Sequence, residues 1–272
     1  GEVYRALNSE TQQEVAVKLE DISNGAPGPQ LEHEATLLNL LRQPTVPQGF
    51  AEVFYFGKEG PFHCLVMEFL GKTLEDKVRE CTDEHFSIKT GVLVAEQILR
   101  RIEYLHSKGI THRDIKPENF CWGVREKQHH LYLIDFGLSK RYWDKRHIQS
   151  KSKLSLTGTA RYASLNAHKG LEQSRRDDLE AIGHMLVYFV RGSLPWSGLE
   201  AKNKQEKYRK IQAKKESLPL RDLCSGYPNA FVDYLRYARN LGFRERPDYE
   251  YCRKLFHEVR KSLQKEEGKP IK

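Results

Sequence analysis

A chain of 272 residues, 39% hydrophobic and 30% charged, has the content of a soluble globular protein and the length for one large core or two lobes sharing a cleft. Its five cysteines (Cys64, Cys81, Cys121, Cys224 and Cys252) are odd in number and form no CxxC pair, which argues against a disulfide framework or zinc site and for a reducing compartment. A net charge of +8 is read most simply as a solvated basic surface; nucleic acid, anionic membrane and acidic protein substrates are the partners it would otherwise allow.

Residues 2–6 and 14–19 read as strands around the turn-like Asn8-Ser9-Glu10-Thr11, with no signal peptide before the first of them. Leu31, Glu34, Leu38 and Leu41 mark a short helix. Residues 53–56 and 63–67 form a second strand pattern, joined by Gly57-Lys58-Glu59-Gly60-Pro61. Helical spacing begins after Gly71. Val92, Ala95, Leu99, Ile102 and Leu105 carry a helix to His106, with Gly109 as its stop. An apolar strand covers 131–134. Ser174 with Asp177 three residues on resembles an N-terminal cap, opening a helix that turns Leu179, Ile182, Leu186 and Val190 inward. The apolar stretch within it, 181–190, is interrupted by Gly183 and His184 and is too short for a bilayer, which takes about 20 apolar residues. Further helices fit 230–240 and 248–261. There are no internal repeats. Strands first and helices after predict an α+β fold, a small sheet lobe on a larger helical lobe.

Two motifs carry chemistry. His112-Arg113-Asp114-Ile115-Lys116-Pro117-Glu118-Asn119 puts an Asp and an Asn on one loop, and Asp135-Phe136-Gly137 follows the 131–134 strand. Together they offer a group to aim a hydroxyl and two hard oxygen ligands for magnesium, which is what phosphoryl transfer from ATP requires. Basic residues gather downstream, in Lys140, Arg141, Lys145, Arg146, Lys151 and Lys153, and again in Lys202, Lys204, Lys207, Arg209, Lys210, Lys214 and Lys215.

With Val15-Ala16-Val17-Lys18 and the helical Glu34, these motifs stand in the order found in protein kinases. The chain resembles the casein kinase I family of Ser/Thr kinases more specifically. The triplet Ser164-Leu165-Asn166 replaces the usual Ala-Pro-Glu, and the runs around 156–164, 172–180 and Gly192-Ser193-Leu194-Pro195-Trp196 are similar to that family. The resemblance implies a bilobal kinase-like fold over 1–272. Its antiparallel-sheet N-lobe would cover 1–69 and its helical C-lobe 70–272. Of the family's Gly-x-Gly-x-x-Gly-x-Val only the last Gly and the Val are matched, by Gly1 and Val3, so the chain reads as a fragment without its first strand and most of its phosphate cover.

The resemblance also implies roles. Lys18 would bind the ATP phosphates, held by Glu34, with Glu32 as the rival partner. Asp114 would position the substrate hydroxyl more than deprotonate it, since an ordinary Asp titrates near ~3.9. Lys116 would neutralise the γ-phosphoryl group, and Asn119 and Asp135 would ligate Mg²⁺. Val3, Ala16, Met67, Glu68, Leu70, Cys121 and Ile134 would surround the nucleotide, with Glu68-Phe69-Leu70 as the hinge. Arg161, Lys207 and the Gly198 backbone would take a phosphate or carboxylate on the substrate. Arg113 and Lys140 suggest a second anion site, where the family often adds a lysine and this chain has Leu154. Asp178 would anchor the catalytic loop, and His112, Arg175 and Arg176 would serve packing. The expectation is an intracellular (cytoplasmic or nuclear) Ser/Thr kinase that uses Mg-ATP on acidic or phosphate-primed protein substrates. The alternative is a pseudokinase scaffold binding the same partners. A nucleic-acid module has the charge but no motif, and no membrane anchor is apparent.

Overall fold

The computed structural model describes residues 2–23 and 30–267. Gly1, matched above to the phosphate loop, and residues 25–28, where an insertion relative to the family is expected, lie outside the described residues. The chain divides into two compact units. One runs to Leu74 and adds Glu118–Ser139; the other takes Glu75–Pro117 and continues from Lys140.

The first unit is built on an antiparallel sheet of order β1-β2-β4-β3, with β1 at Glu2–Leu7, β2 at Glu14–Asp21, β3 at Val53–Glu59 and β4 at Phe62–Glu68. An Asx turn closes the first hairpin, where the Asn8 side chain accepts from the N–H of Glu10 at 2.9 Å and of Thr11 at 3.1 Å. The second hairpin is longer than its sequence pattern. Gly57, Lys58 and Glu59 pair with Cys64, His63 and Phe62, so only Gly60-Pro61 turns the chain. Helix α1 (Gln30–Leu41) packs on β3 and β4 through Leu31, Glu34, Ala35, Leu37, Leu38 and Leu41. Its first N–H groups are satisfied by the Glu20 carboxylate of β2, from Gln30 at 3.0 Å and Leu31 at 3.2 Å.

In the second unit, α3 (Ile88–Ser107) packs on α5 (Arg175–Arg191) and α9 (Tyr249–Glu267), and α5 packs on α8 (Asn229–Asn240). Ser87 caps α3 by accepting from Thr90 N–H at 3.1 Å. Helix α5 is buried almost all round, which is why its sequence lacks a clean polar face. The Asp177 carboxylate accepts from Ser174 N–H at 2.7 Å at its start. A Cβ on Gly183 would run into Leu235 of α8, 2.8 Å from its Cγ, so the glycine permits the close crossing of these helices.

Four helices lie outside the sequence-level elements: α2 (Leu74–Arg79), α4 (Leu165–His168), α6 (Lys204–Ser217) and α7 (Leu220–Leu223). Three are too short to establish a period. The fourth, α6, buries only Ile211 and Lys215, so it has no apolar stripe to read. Two-stranded pieces complete the fold, with β5 (Ile110–Thr111) on β8 (Lys140–Arg141), β6 (Phe120–Trp122) on β7 (Leu131–Leu133), and β9 (Trp143–Asp144) on β10 (Arg146–His147). The last helix continues beyond its expected end at Lys261. Among the described residues no helix is long and apolar enough to cross a membrane.

The α5–α8 crossing makes a direct prediction. Gly183→Ala should destabilise by about 1–3 kcal/mol, read from the urea midpoint, because it overpacks the contact with Leu235. Combined with Leu235→Ala it should cost less than the two singles added together; strict additivity would show that the two side chains do not compete for the same space.

Candidate active site

A cavity of about 560 Å³ lies in the first unit. Strand β2 sends Ala16 and Lys18 into its wall, since alternate residues of a strand share a face. Ala16 stands opposite Met67 of β4, which also lines the cavity, as do Glu68 at the end of that strand and Leu70 just after it. Val3, Cys121 and Ile134 add to the apolar lining, and Asn119, Glu34 and Asp135 are among its polar groups. The residues expected around adenine, the α- and β-phosphates and the metal therefore line one cavity, whereas Asp114 and Lys116 are not part of its lining. The Glu68 carboxylate is engaged with Lys127 at 2.6 Å, and its N–H with Glu52 O at 2.8 Å.

Lys18 is held between two carboxylates, with Nζ at 2.6 Å from Glu34 and 3.2 Å from Asp135. Burial pulls the ammonium down, but the two acids outweigh it and Lys18 is raised above its ordinary range. Glu34 is buried and Glu32 exposed, which decides between the two rivals for this partner. The second oxygen of Glu34 accepts from Phe136 N–H at 3.3 Å, so one carboxylate ties α1 to β2 and to the Asp-Phe-Gly turn. Asp135 itself has φ 63°, a left-handed conformation costly for an aspartate. That turn ends β7 at Leu133, one residue short of the sequence pattern. Ile134 N–H bonds instead to Asn119 O at 3.0 Å, which brings the two metal-ligand candidates alongside each other. Asn119 and Asp135 offer oxygen donors, the type a hard divalent cation takes. Among the described residues there is no cluster of three or more His, Cys, Asp or Glu that could hold a metal by protein ligands alone.

The second unit organises the other motif. Asp178, at the start of α5, accepts from the N–H of His112 at 2.8 Å and of Arg113 at 2.9 Å. It also receives His106 Nε2 at 2.8 Å, whose Nδ1 meets the Tyr249 hydroxyl at 2.6 Å. Burial alone would raise Asp178; the hydrogen bonds and nearby imidazoles lower it instead, while burial keeps His106 below its usual range. His112 is buried and its Nδ1 accepts from Asp114 N–H at 3.3 Å. Asp114 is fixed on both oxygens. Oδ1 accepts from Thr159 N–H at 2.8 Å and its hydroxyl at 2.7 Å, and Oδ2 lies 2.8 Å from Lys116 Nζ.

Thr159 did not stand out in the sequence except as part of a family-like run. The neighbouring Gly158 was its local signal. It has φ 92°, and any Cβ there would collide with the Arg113 carbonyl.

On the proposed substrate side, Arg161, Gly198 and Lys207 are all exposed, and the Arg161 guanidinium lies 5.9 Å from the Tyr162 ring centroid. The second anion site suggested by Arg113 and Lys140 meets an internal acid. Lys140 pairs with the buried Glu172 at 2.9 Å, and Leu154 is exposed where the family lysine would stand.

A family model described as the protein kinase domain matches residues 1–247, so this chain belongs to the protein kinase family. It is accordingly an ATP-dependent phosphotransferase domain that acts on protein substrates.

Gly158→Ala is expected to lower both melting temperature and phosphotransfer, because it forces the Thr159 bonds away from Asp114. Transfer should fall by more than tenfold, whereas Gly226→Ala, at a positive-φ glycine with open space around it, should lower only stability. Equal loss of transfer in both would mean that Asp114 does not depend on Thr159.

Proposed function

We propose that this chain is a Ser/Thr protein kinase of casein kinase I type, transferring the γ-phosphate of Mg-ATP to Ser or Thr beside acidic or phosphorylated residues. The observation that carries the reading is Lys18 clamped by Glu34 and Asp135 in a cavity that also holds Asn119 and the apolar nucleotide set. The Ser164-Leu165-Asn166 triplet and the exposed basic pair Arg161 and Lys207 support the narrower assignment. In this reading residues 1–272 form one catalytic domain, with 1–69 as the sheet lobe and 70–272 as the helical lobe.

Lys18 grips the α- and β-phosphates, its charge secured by Glu34. Asn119 and Asp135 hold Mg²⁺, which supplies neutralisation of the triphosphate charge. The chain's own contribution is then positioning. Asp114 aims the substrate hydroxyl and takes its proton late, because a carboxylate is a weak base. Lys116, 2.8 Å from Asp114, is the cation we assign to the charge on the transferred group. The complete Lys18, Asp114, Asn119 and Asp135 set disfavours a pseudokinase scaffold.

Asp135→Ala in the full-length protein should cut phosphate incorporation into casein by a factor on the order of 10²–10³, the usual cost of removing one electrostatic stabiliser. Unchanged incorporation would end the catalytic assignment. Substrate choice is tested separately. The double variant Arg161→Ala/Lys207→Ala should raise KM for acidic peptides at least tenfold more than for neutral ones. Each charge-assisted bond is worth ~1.5–3 kcal/mol, and tenfold is about 1.4 kcal/mol. Equal effects on both peptides would count against the anion site.

A further inference from the structure

Residues 160–163 form an irregular turn whose four consecutive carbonyls are each met by a buried side chain. Ala160 O accepts from Lys215 Nζ at 2.9 Å, Arg161 O from Trp196 Nε1 at 2.7 Å, and Ala163 O from Lys215 again at 2.6 Å. Tyr162 O lies 2.8 Å from His184 Nδ1. The N–H groups of Tyr162 and Ala163 both bond to Thr159 O at 3.0 Å, and with no ladder or helix to pair them the four carbonyls are fixed by those side chains.

Lys215 is the unusual member. It is completely buried, although burying an ammonium is costly unless the head group is fully bonded. Its Nζ also lies 3.2 Å from His168 Nε2 and 5.1 Å from the Trp196 ring centroid, so several polar and π partners surround it. An apolar residue of the same length would avoid the charge but leave Ala163 O without its donor, and Ala160 O with only His168 Nε2, at 3.1 Å.

The helix that carries Lys215 explains what the cost achieves. Helix α6 is polar throughout and buries only Ile211 and Lys215. The exposed Lys207 sits two turns earlier on the same helix, about 12 Å along its axis. Lys215 therefore joins the helix bearing Lys207 to the two carbonyls that bracket Arg161.

We propose that Lys215 is a positioning residue of the substrate-anion site: by clasping Ala160 O and Ala163 O from α6, it sets the spacing between Arg161 and Lys207 and so the preference for phosphorylated or acidic peptides. This rests on the anion-binding role assigned to Arg161 and Lys207 above. Trp196 acts in the same way through Arg161 O. Neither side chain touches the peptide.

The test uses the full-length protein with two peptides, one carrying phosphoserine near the target Ser and one with Ala in its place. Lys215→Met should raise KM for the phosphopeptide about tenfold, with kcat and the KM of the Ala peptide within about twofold of wild type. Trp196→Phe keeps an aromatic ring beside Lys215 and removes the N–H together with part of the indole. It should shift the same KM in the same direction, by about threefold, and it decides the matter if Lys215→Met does not fold. A merely structural lysine would lower melting temperature and kcat on both peptides alike, and that result overturns the inference. Arg161→Ala separates the two levels. If it abolishes discrimination while Lys215→Met and Trp196→Phe preserve it, the inference fails and the anion site stands. If Arg161→Ala itself preserves discrimination, the anion-site reading fails, and the positioning role falls with it.

Discussion

A buried backbone N–H or C=O outside helix and sheet must find a partner, and at several motif segments of this protein the partner is an acidic or basic side chain. Glu34 receives Phe136 N–H, Asp178 receives His112 and Arg113, Asp114 receives Thr159, and Lys215 serves Ala160 and Ala163. Each of these segments carries a motif that function needs in an irregular conformation. Regular ladders could not shape them, so acidic and basic side chains do.

This solution places charge where solvent is scarce, and several of these groups are matched locally. Lys18 faces two carboxylates. Glu180 takes Arg239 Nε at 3.0 Å. Asp177, which burial pushes up to about 6, accepts the Ser164 hydroxyl at 2.6 Å and Ser174 N–H. Such pairs add little net stability over apolar packing of the same volume, yet breaking one leaves an unpaired buried charge that costs about 3–5 kcal/mol. Their value lies in fixing one geometry. The same logic fits the left-handed Asp135 and Arg113, both strained residues held by surrounding bonds.

How much of this the sequence disclosed follows from where the partners lie. Short-range signals were readable: the Asx turn at Asn8, the Ser174 and Asp177 cap, and the alternation that turns Ala16 and Lys18 to one face. The motif order pointed to the residues that the structure gathers around the first unit's cavity. Local spacing could not choose between Glu32 and Glu34, because both sit in the first turns of α1; burial chose. The ends of β3, β4 and β7 shifted because pairing partners and the Asp135 turn, not propensity, terminate them. Helix α6 was illegible for a sharper reason. Its anchor is a lysine, and a lysine in a basic run reads as surface; the cue was Asn203, whose side chain accepts from Glu206 N–H at 2.8 Å. Thr159, Trp196 and Lys215 were not singled out because their partners, the Asp114 carboxylate and the carbonyls of 160–163, lie far away in sequence.

Helix α5 shows why so few residues can hold so much irregular chain. Successive residues of a helix point about 100° apart, so the adjacent Asp177 and Asp178 reach different segments. Asp178 holds the His112-Arg113 backbone, and Asp177 holds Ser164. One turn on, Glu180 receives Leu165 N–H at 3.3 Å, and one turn further His184 meets Tyr162 O. The loop bearing Asp114 and the segment bearing Arg161 are thus fastened to the same buried helix.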